Sequence, residues 1–217
     1  MILTIKKFLI NKDNDYEKMT SRVGQMKIFL EHILAGRVPN ENYSSDSLLS
    51  FCHSLVQGQR PAEPGLEEGS WSVSATAADI EDEDRMDYHY FPTFLALSLL
   101  ISCGSQDSRV KEIPGYEDAL KKGFGFAVSE NLEGFGFNSF FQQMEAVLIM
   151  GSGGCPLWLK AHPDSCPVLV DRLGQLGNEF KSRLDKEDTV LPFGGDYKPQ
   201  FMLACKLLAP LMESINQ

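Results

Sequence analysis

The chain lacks any cluster of lysine and arginine, and its 30 acidic side chains outnumber its 20 basic ones. An acidic protein repels phosphate backbones and anionic lipid headgroups, so neither nucleic acid nor a membrane is an expected partner. It also lacks an apolar run near the roughly 20 residues that a bilayer span requires. Residues 1–10 carry Lys6 and Lys7 within the stretch and lack the pattern of a signal peptide.

Cysteine is scarce, and the number of cysteines is odd. The five residues are widely spaced along the chain: Cys52, Cys103, Cys155, Cys166 and Cys205. Three of them stand in apolar segments, which is typical of reduced thiols in a protein core. We therefore expect a cytoplasmic protein without structural disulfides.

Strand-like alternation is absent, and apolar residues instead recur at steps of three and four. This spacing predicts an all-α fold in a single domain spanning residues 1–217, and at this length one core suffices. The predicted helices cover residues 16–35, 93–101, 116–128, 139–150, 156–161, 167–184 and 198–214, and another lies between the N-cap candidates at 44–46 and Gly58. Gly104 is expected to end the helix that contains residues 93–101. Helices 93–101, 139–150 and 201–208 are the most apolar, and we expect them to be the most buried.

A long loop at about residues 59–88 interrupts the helices and contains a dense run of acids. Six carboxylates, Asp79, Glu81, Asp82, Glu83, Asp84 and Asp87, surround one base, Arg85. Their net charge of −5 is half of the whole chain's −10. Such a run can bind a divalent cation, share a proton between carboxylates or solvate a surface loop. The sequence leaves all three open and specifies no cofactor.

Aromatic residues flank this run and suggest a binding site. The catalytic candidates are the acids and the adjacent imidazole: Asp79, Asp82, Asp84 and His89. The candidates for ligand binding are Trp71, Asp87 and Tyr90 near the run, Glu133, Phe135 and Phe137 in a Gly-aromatic loop, and Asp196 in another such loop. Pockets often combine aromatic walls with a few polar groups, so a small-molecule ligand or a divalent cation is an expected partner.

Three Gly-aromatic loops each precede an apolar helix. These are Glu68–Ser72 ahead of Tyr90–Leu97, Glu133–Phe137, and Phe193–Tyr197. In this respect the chain resembles the α/α-toroid superfamily, which includes terpenoid cyclases and protein prenyltransferase β-subunits. Because the chain is short for a full ring, the resemblance implies an array of helical hairpins, either an open or a truncated toroid.

One acidic tetrad also resembles a catalytic motif of that superfamily. The residues Asp79-Ile80-Glu81-Asp82 are similar to the Asp-x-Asp-Asp general acid of class II terpene cyclases, but the third position is Glu. That departure places proton-initiated cyclisation in doubt. The leading expectation is a protein that binds or transforms a small organic ligand in an apolar pocket rimmed by carboxylates. The alternative is a non-catalytic helical-repeat module whose acidic loop binds a basic protein partner.

The order Cys155, His162, Cys166 suggests a zinc site at first sight. Its spacing of six and three residues does not match a common zinc pattern, and no fourth ligand follows. We therefore assign no metal ligands from the sequence.

Overall fold

The computed structural model describes residues 45–59, 68–71, 90–129, 140–190 and 195–215. These residues are mostly helical and contain no strand, and their only β-type pairing is a single antiparallel bridge between Val190 and Asp196. The all-α prediction is therefore confirmed. None of the described helices is long and apolar enough to cross a bilayer. The predicted helix 16–35 lies outside the described residues.

The described helices agree closely with those expected from the sequence. They are α1 (Ser45–Gln57), α2 (Phe91–Gln106), α3 (Tyr116–Ser129), α4 (Phe140–Ser152), α5 (Cys155–Ala161), α6 (Pro167–Asp185) and α7 (Lys198–Ile215), with 3₁₀ turns at Ser108–Glu112 and Pro163–Ser165. The chain divides into two compact units, Met1–Ala127 and Val128–Gln217. Whether they form a single domain stays a prediction.

Helix α2 is the centre of the first unit. It is apolar on nearly every side, and all of its residues from Phe91 to Gly104 are buried. Pro92 lies in the first turn, where its missing N–H costs no helical hydrogen bond. This confirms the expectation that the helix is buried.

The predicted end of α2 at Gly104 is wrong, because the helix continues to Gln106. A Cβ at position 104 would lie 2.7 Å from the Tyr116 hydroxyl oxygen. That hydroxyl donates a hydrogen bond of 3.2 Å to the Leu100 carbonyl. Glycine at this position therefore lets α3 approach α2 closely instead of ending the helix.

The second unit is held together by close helix pairs. A Cβ at Gly177 of α6 would lie 2.6 Å from Met212 of α7, and a Cβ at Gly151 of α4 would lie 2.7 Å from Leu207. Helix α4 is buried over residues 143–151, as expected. The expectation that 201–208 is equally buried is wrong, because Met202 is 58% exposed. Helix α7 therefore buries only one face.

Candidate functional site

Three of the residues predicted to form a site lie in the described part of the chain: Trp71, Tyr90 and Asp196. The other eight lie outside the described residues, and their roles stay predictions. They are Asp79, Asp82, Asp84, Asp87, His89, Glu133, Phe135 and Phe137. The candidate site is therefore built from the residues that begin and end the segment carrying the acidic run.

Trp71 is buried in the first unit, where its side chain is 2% exposed. Its indole N–H donates to the Leu55 carbonyl of α1 at 2.8 Å, and its backbone N–H donates to the Thr93 hydroxyl of α2 at 3.0 Å. A Cβ at Gly123 of α3 would lie 2.8 Å from the indole ring, so α3 packs directly on it. Trp71 thus touches all three α-helices of this unit's described part.

The turn before Trp71 is fixed by the side chain of Gln59. Its amide nitrogen donates to the Gly69 carbonyl at 2.9 Å and to the Ala119 carbonyl of α3 at 2.7 Å. Gly69 has a φ of +87°, and a Cβ there would collide with the Lys122 carbonyl oxygen. Only glycine fits without strain at this position. We call Gln59, Gly69, Trp71 and Thr93 the Trp71 anchor.

Tyr90 follows directly after residues 72–89, the segment that begins after Trp71. Its side chain is 3% exposed, and its ring lies 5.0 Å from the Phe126 ring of α3 and 6.2 Å from the Phe94 ring of α2, measured between centroids. Because Trp71 is hydrogen-bonded to Thr93, three residues after Tyr90, Trp71 lies close to the start of α2. The residues between them, 72–89, carry the whole acidic run.

The third described candidate, Asp196, lies just before the start of α7. Its carboxylate accepts hydrogen bonds from the Thr189 hydroxyl at 2.7 Å and from the Lys198 backbone N–H at 3.0 Å. The Thr189 hydrogen bond, followed by that of Lys198, lowers the pKa of Asp196 below its ordinary value. The backbone N–H of Tyr197 also donates to the Thr189 carbonyl at 3.0 Å. Asp196 therefore joins the two ends of a loop and caps a helix.

No group of three or more histidine, cysteine or acidic side chains suited to a metal ion occurs in the part of the chain that the structure describes. Cys155, His162 and Cys166 are described and do not form such a group. The His162 ring stacks on Trp158 at a centroid distance of 4.2 Å, and its Nδ1 hydrogen-bonds the Trp158 carbonyl at 2.9 Å. This histidine thus caps the end of α5.

Helix α4 buries two polar side chains that are not among the predicted site residues. Glu145 and Gln143 of α4 are only 5% and 8% exposed. Their signal in the sequence is a polar side chain inside a strongly apolar helix. A buried carboxylate is a common feature of functional sites, although structural networks bury carboxylates as well.

Comparison of the chain with protein-family models, curated proteins and solved structures finds no match.

Proposed function

We propose that this protein is a non-catalytic helical interaction module whose acidic segment, residues 79–87, binds a basic protein partner. The observation that carries the proposal is the hydrogen bond between the Trp71 backbone N–H and the Thr93 hydroxyl. It ties together two residues 22 positions apart in the sequence, and all six carboxylates lie between them.

The charge of the segment supports a partner rich in lysine or arginine. Six carboxylates and one arginine give −5 within nine residues. Charges of one sign attract an oppositely charged surface, raise the association rate and exclude acidic competitors. An anchored segment also loses less conformational entropy on binding than a free tail would.

The contacts of Trp71 and Tyr90 favour an interaction module and argue against a ligand pocket formed by these side chains. Trp71 and Tyr90 are 2% and 3% exposed, and both pack inside the first unit. The indole donor of Trp71 is already bonded to the Leu55 carbonyl. Both side chains therefore serve the anchoring of the segment, and a ligand that used them would have to displace existing contacts.

The proposal predicts binding to a basic probe, for which we choose fluorescein-labelled decalysine. Fluorescence anisotropy at pH 7 and about 50 mM salt gives the affinity, and about 150 mM salt should weaken it. Changing Asp79, Asp82 and Asp84 together to Asn should weaken binding about threefold to 100-fold, since each exposed charge pair contributes about 0.2–1 kcal/mol.

A matched control distinguishes the effect of residues 79–87 from the effect of the net charge of the whole chain. Asp164, Asp171 and Asp185 are exposed residues of the second unit, and changing them to Asn alters the net charge equally. This control should bind decalysine almost as wild type does. Equal losses in both triple variants would contradict the proposal. A second result would also contradict it. In that result the Asp79, Asp82 and Asp84 variant binds decalysine as wild type does, and a divalent cation or a small ligand raises the wild-type melting temperature more than the variant's.

The proposal also includes an arrangement of the helices. Buried helices α2 and α4 alternate along the chain with the amphipathic helices α3 and α6, which supports an array of helical hairpins in the manner of an open or truncated α/α toroid. A cytoplasmic location is supported by the five free cysteines.

A further inference from the structure

The side chain of Gln59 joins three parts of the first unit. Gln59 follows the end of α1, and its amide nitrogen donates to the Gly69 carbonyl at 2.9 Å and to the Ala119 carbonyl of α3 at 2.7 Å. A glutamine amide nitrogen carries two N–H donors, so both are used. The two acceptors are 10 and 60 positions away in the sequence. Gln59 therefore sets the position of the Gly69 turn relative to α1 and α3.

Helix α3 contacts the described residues on both sides of the acidic segment. A Cβ at Gly123 would lie 2.8 Å from the Trp71 ring, and the Phe126 ring lies 5.0 Å from the Tyr90 ring. Gly123 and Phe126 are three positions apart and so lie on one face of the helix. Ala119, four positions before Gly123, lies on the same face. The amide of Gln59 is thus held by the part of α3 that packs on Trp71 and Tyr90.

We propose that Gln59 is a positioning residue for the basic partner, a role that rests on the proposed function. Its two hydrogen bonds hold the Gly69 turn, and with it Trp71, in one place on α3. The acidic segment begins eight positions after Trp71. With the turn fixed, the carboxylates lose less conformational freedom when a partner binds, which favours binding. Gln59 thus raises the affinity through the turn, although it carries no charge itself.

The test changes Gln59 to Met, which keeps the length of the side chain and removes both donors. Fluorescein-labelled decalysine is titrated with the full chain, and fluorescence anisotropy at pH 7 gives the dissociation constant. We expect it to rise about twofold to tenfold, which matches the cost of ordering one additional side chain. Because no charge is removed, the affinity should fall between about 50 mM and 150 mM salt by the same factor as in wild type.

A control variant distinguishes positioning from a general loss of stability. Val110 is fully buried in the 3₁₀ turn after α2, and the 16 residues of α2 place it about 24 Å from the start of that helix, near which Trp71 lies. Val110→Ala and Gln59→Met should both lower the urea midpoint, but Val110→Ala should bind decalysine as wild type does. If Gln59→Met does not fold, Gln59→Asn replaces it, because its shorter side chain keeps the donors but cannot reach both carbonyls.

A double-variant comparison tests whether Gln59 acts through the acidic segment. The triple Asn variant of the segment lacks three of the carboxylates that Gln59 is proposed to position. Adding Gln59→Met to this variant should therefore change its decalysine affinity by a smaller factor than the same change does in wild type. An equal factor in both backgrounds would contradict the positioning role.

The remaining outcomes separate this inference from the proposed function. If the triple Asn variant loses decalysine affinity while Gln59→Met binds as wild type does, the positioning role is overturned and the proposed function stands. A Val110→Ala variant that loses as much affinity as Gln59→Met would also overturn the positioning role, because stability alone would then explain both losses. If decalysine binding does not depend on the acidic segment, both the function and the role of Gln59 are wrong.

Discussion

Replacing Thr93 by Val tests whether the Trp71 anchor holds the first unit together. Valine keeps the shape of the side chain but removes the hydroxyl that accepts the Trp71 backbone N–H at 3.0 Å. Both residues are buried, at 0% exposure for Thr93 and 2% for Trp71, so water cannot replace the lost acceptor. A buried donor left without a partner costs about 1–3 kcal/mol, and we expect a loss of that size.

The positions of the two tryptophans make the assay specific. Trp71 lies in the first unit and Trp158 in the second, and the chain has no other tryptophan. In a Trp158→Phe background, fluorescence reports the surroundings of Trp71 alone. Urea unfolding followed at 25 °C then gives the free energy of unfolding of the region around the anchor, provided that the slope of the transition is unchanged.

The control for this prediction is Thr93→Ser, which keeps the acceptor and removes one buried methyl group. We expect it to cost about 1 kcal/mol, less than the valine variant. A valine variant within about 0.5 kcal/mol of wild type, or a serine variant that is the less stable of the two, would refute the reasoning.

Three further predictions concern the core leucines, the turn at Gly69 and the hydrogen bonds of Asp196. Leu97→Ala and Leu148→Ala, at side chains 0% and 4% exposed, should each cost about 2–5 kcal/mol in urea unfolding, whereas Leu157→Ala, at a side chain 63% exposed, should change stability by less than about 0.5 kcal/mol. Gly69→Ala should cost about 2 kcal/mol or more, because it combines a φ of +87° with a collision against a backbone carbonyl, and a neutral result would contradict the described turn. Because hydrogen bonds lower the pKa of Asp196 in the folded state, its stabilising effect is present above the ordinary value of 3.8 and is lost as pH falls through the lowered pKa. The urea midpoint of Asp196→Asn should therefore fall less than that of wild type on acidification below about pH 4, and parallel curves would contradict this assignment.

The helices could be predicted because their signals are local. Apolar spacing and flanking Pro or Gly predict the bounds of α3, α6 and α7 to within about two residues. The end of α2 could not be predicted, because Gly104 is a helix breaker by local rules and only its contact with Tyr116 explains why the helix continues. Whether a glycine ends a helix or makes room for a neighbour depends on residues far away in the sequence.

The candidate site could be predicted only as a region. The position of Trp71 and Tyr90 beside the acids marks them as candidates, but the hydrogen bonds of the anchor join residues up to 60 positions apart. Composition and periodicity identify which side chains are buried, whereas the pairing of particular atoms requires the tertiary structure.

The most direct measurement of the proposed function identifies which carboxylates contact a basic partner. Carbodiimide coupling of decalysine to the native protein, followed by digestion and mass spectrometry, marks each acid that lies beside a lysine amine. The proposal predicts that the cross-links concentrate on residues 79–87 and disappear first as salt is raised. Cross-links spread evenly over exposed acids such as Asp164 and Asp171 would contradict it.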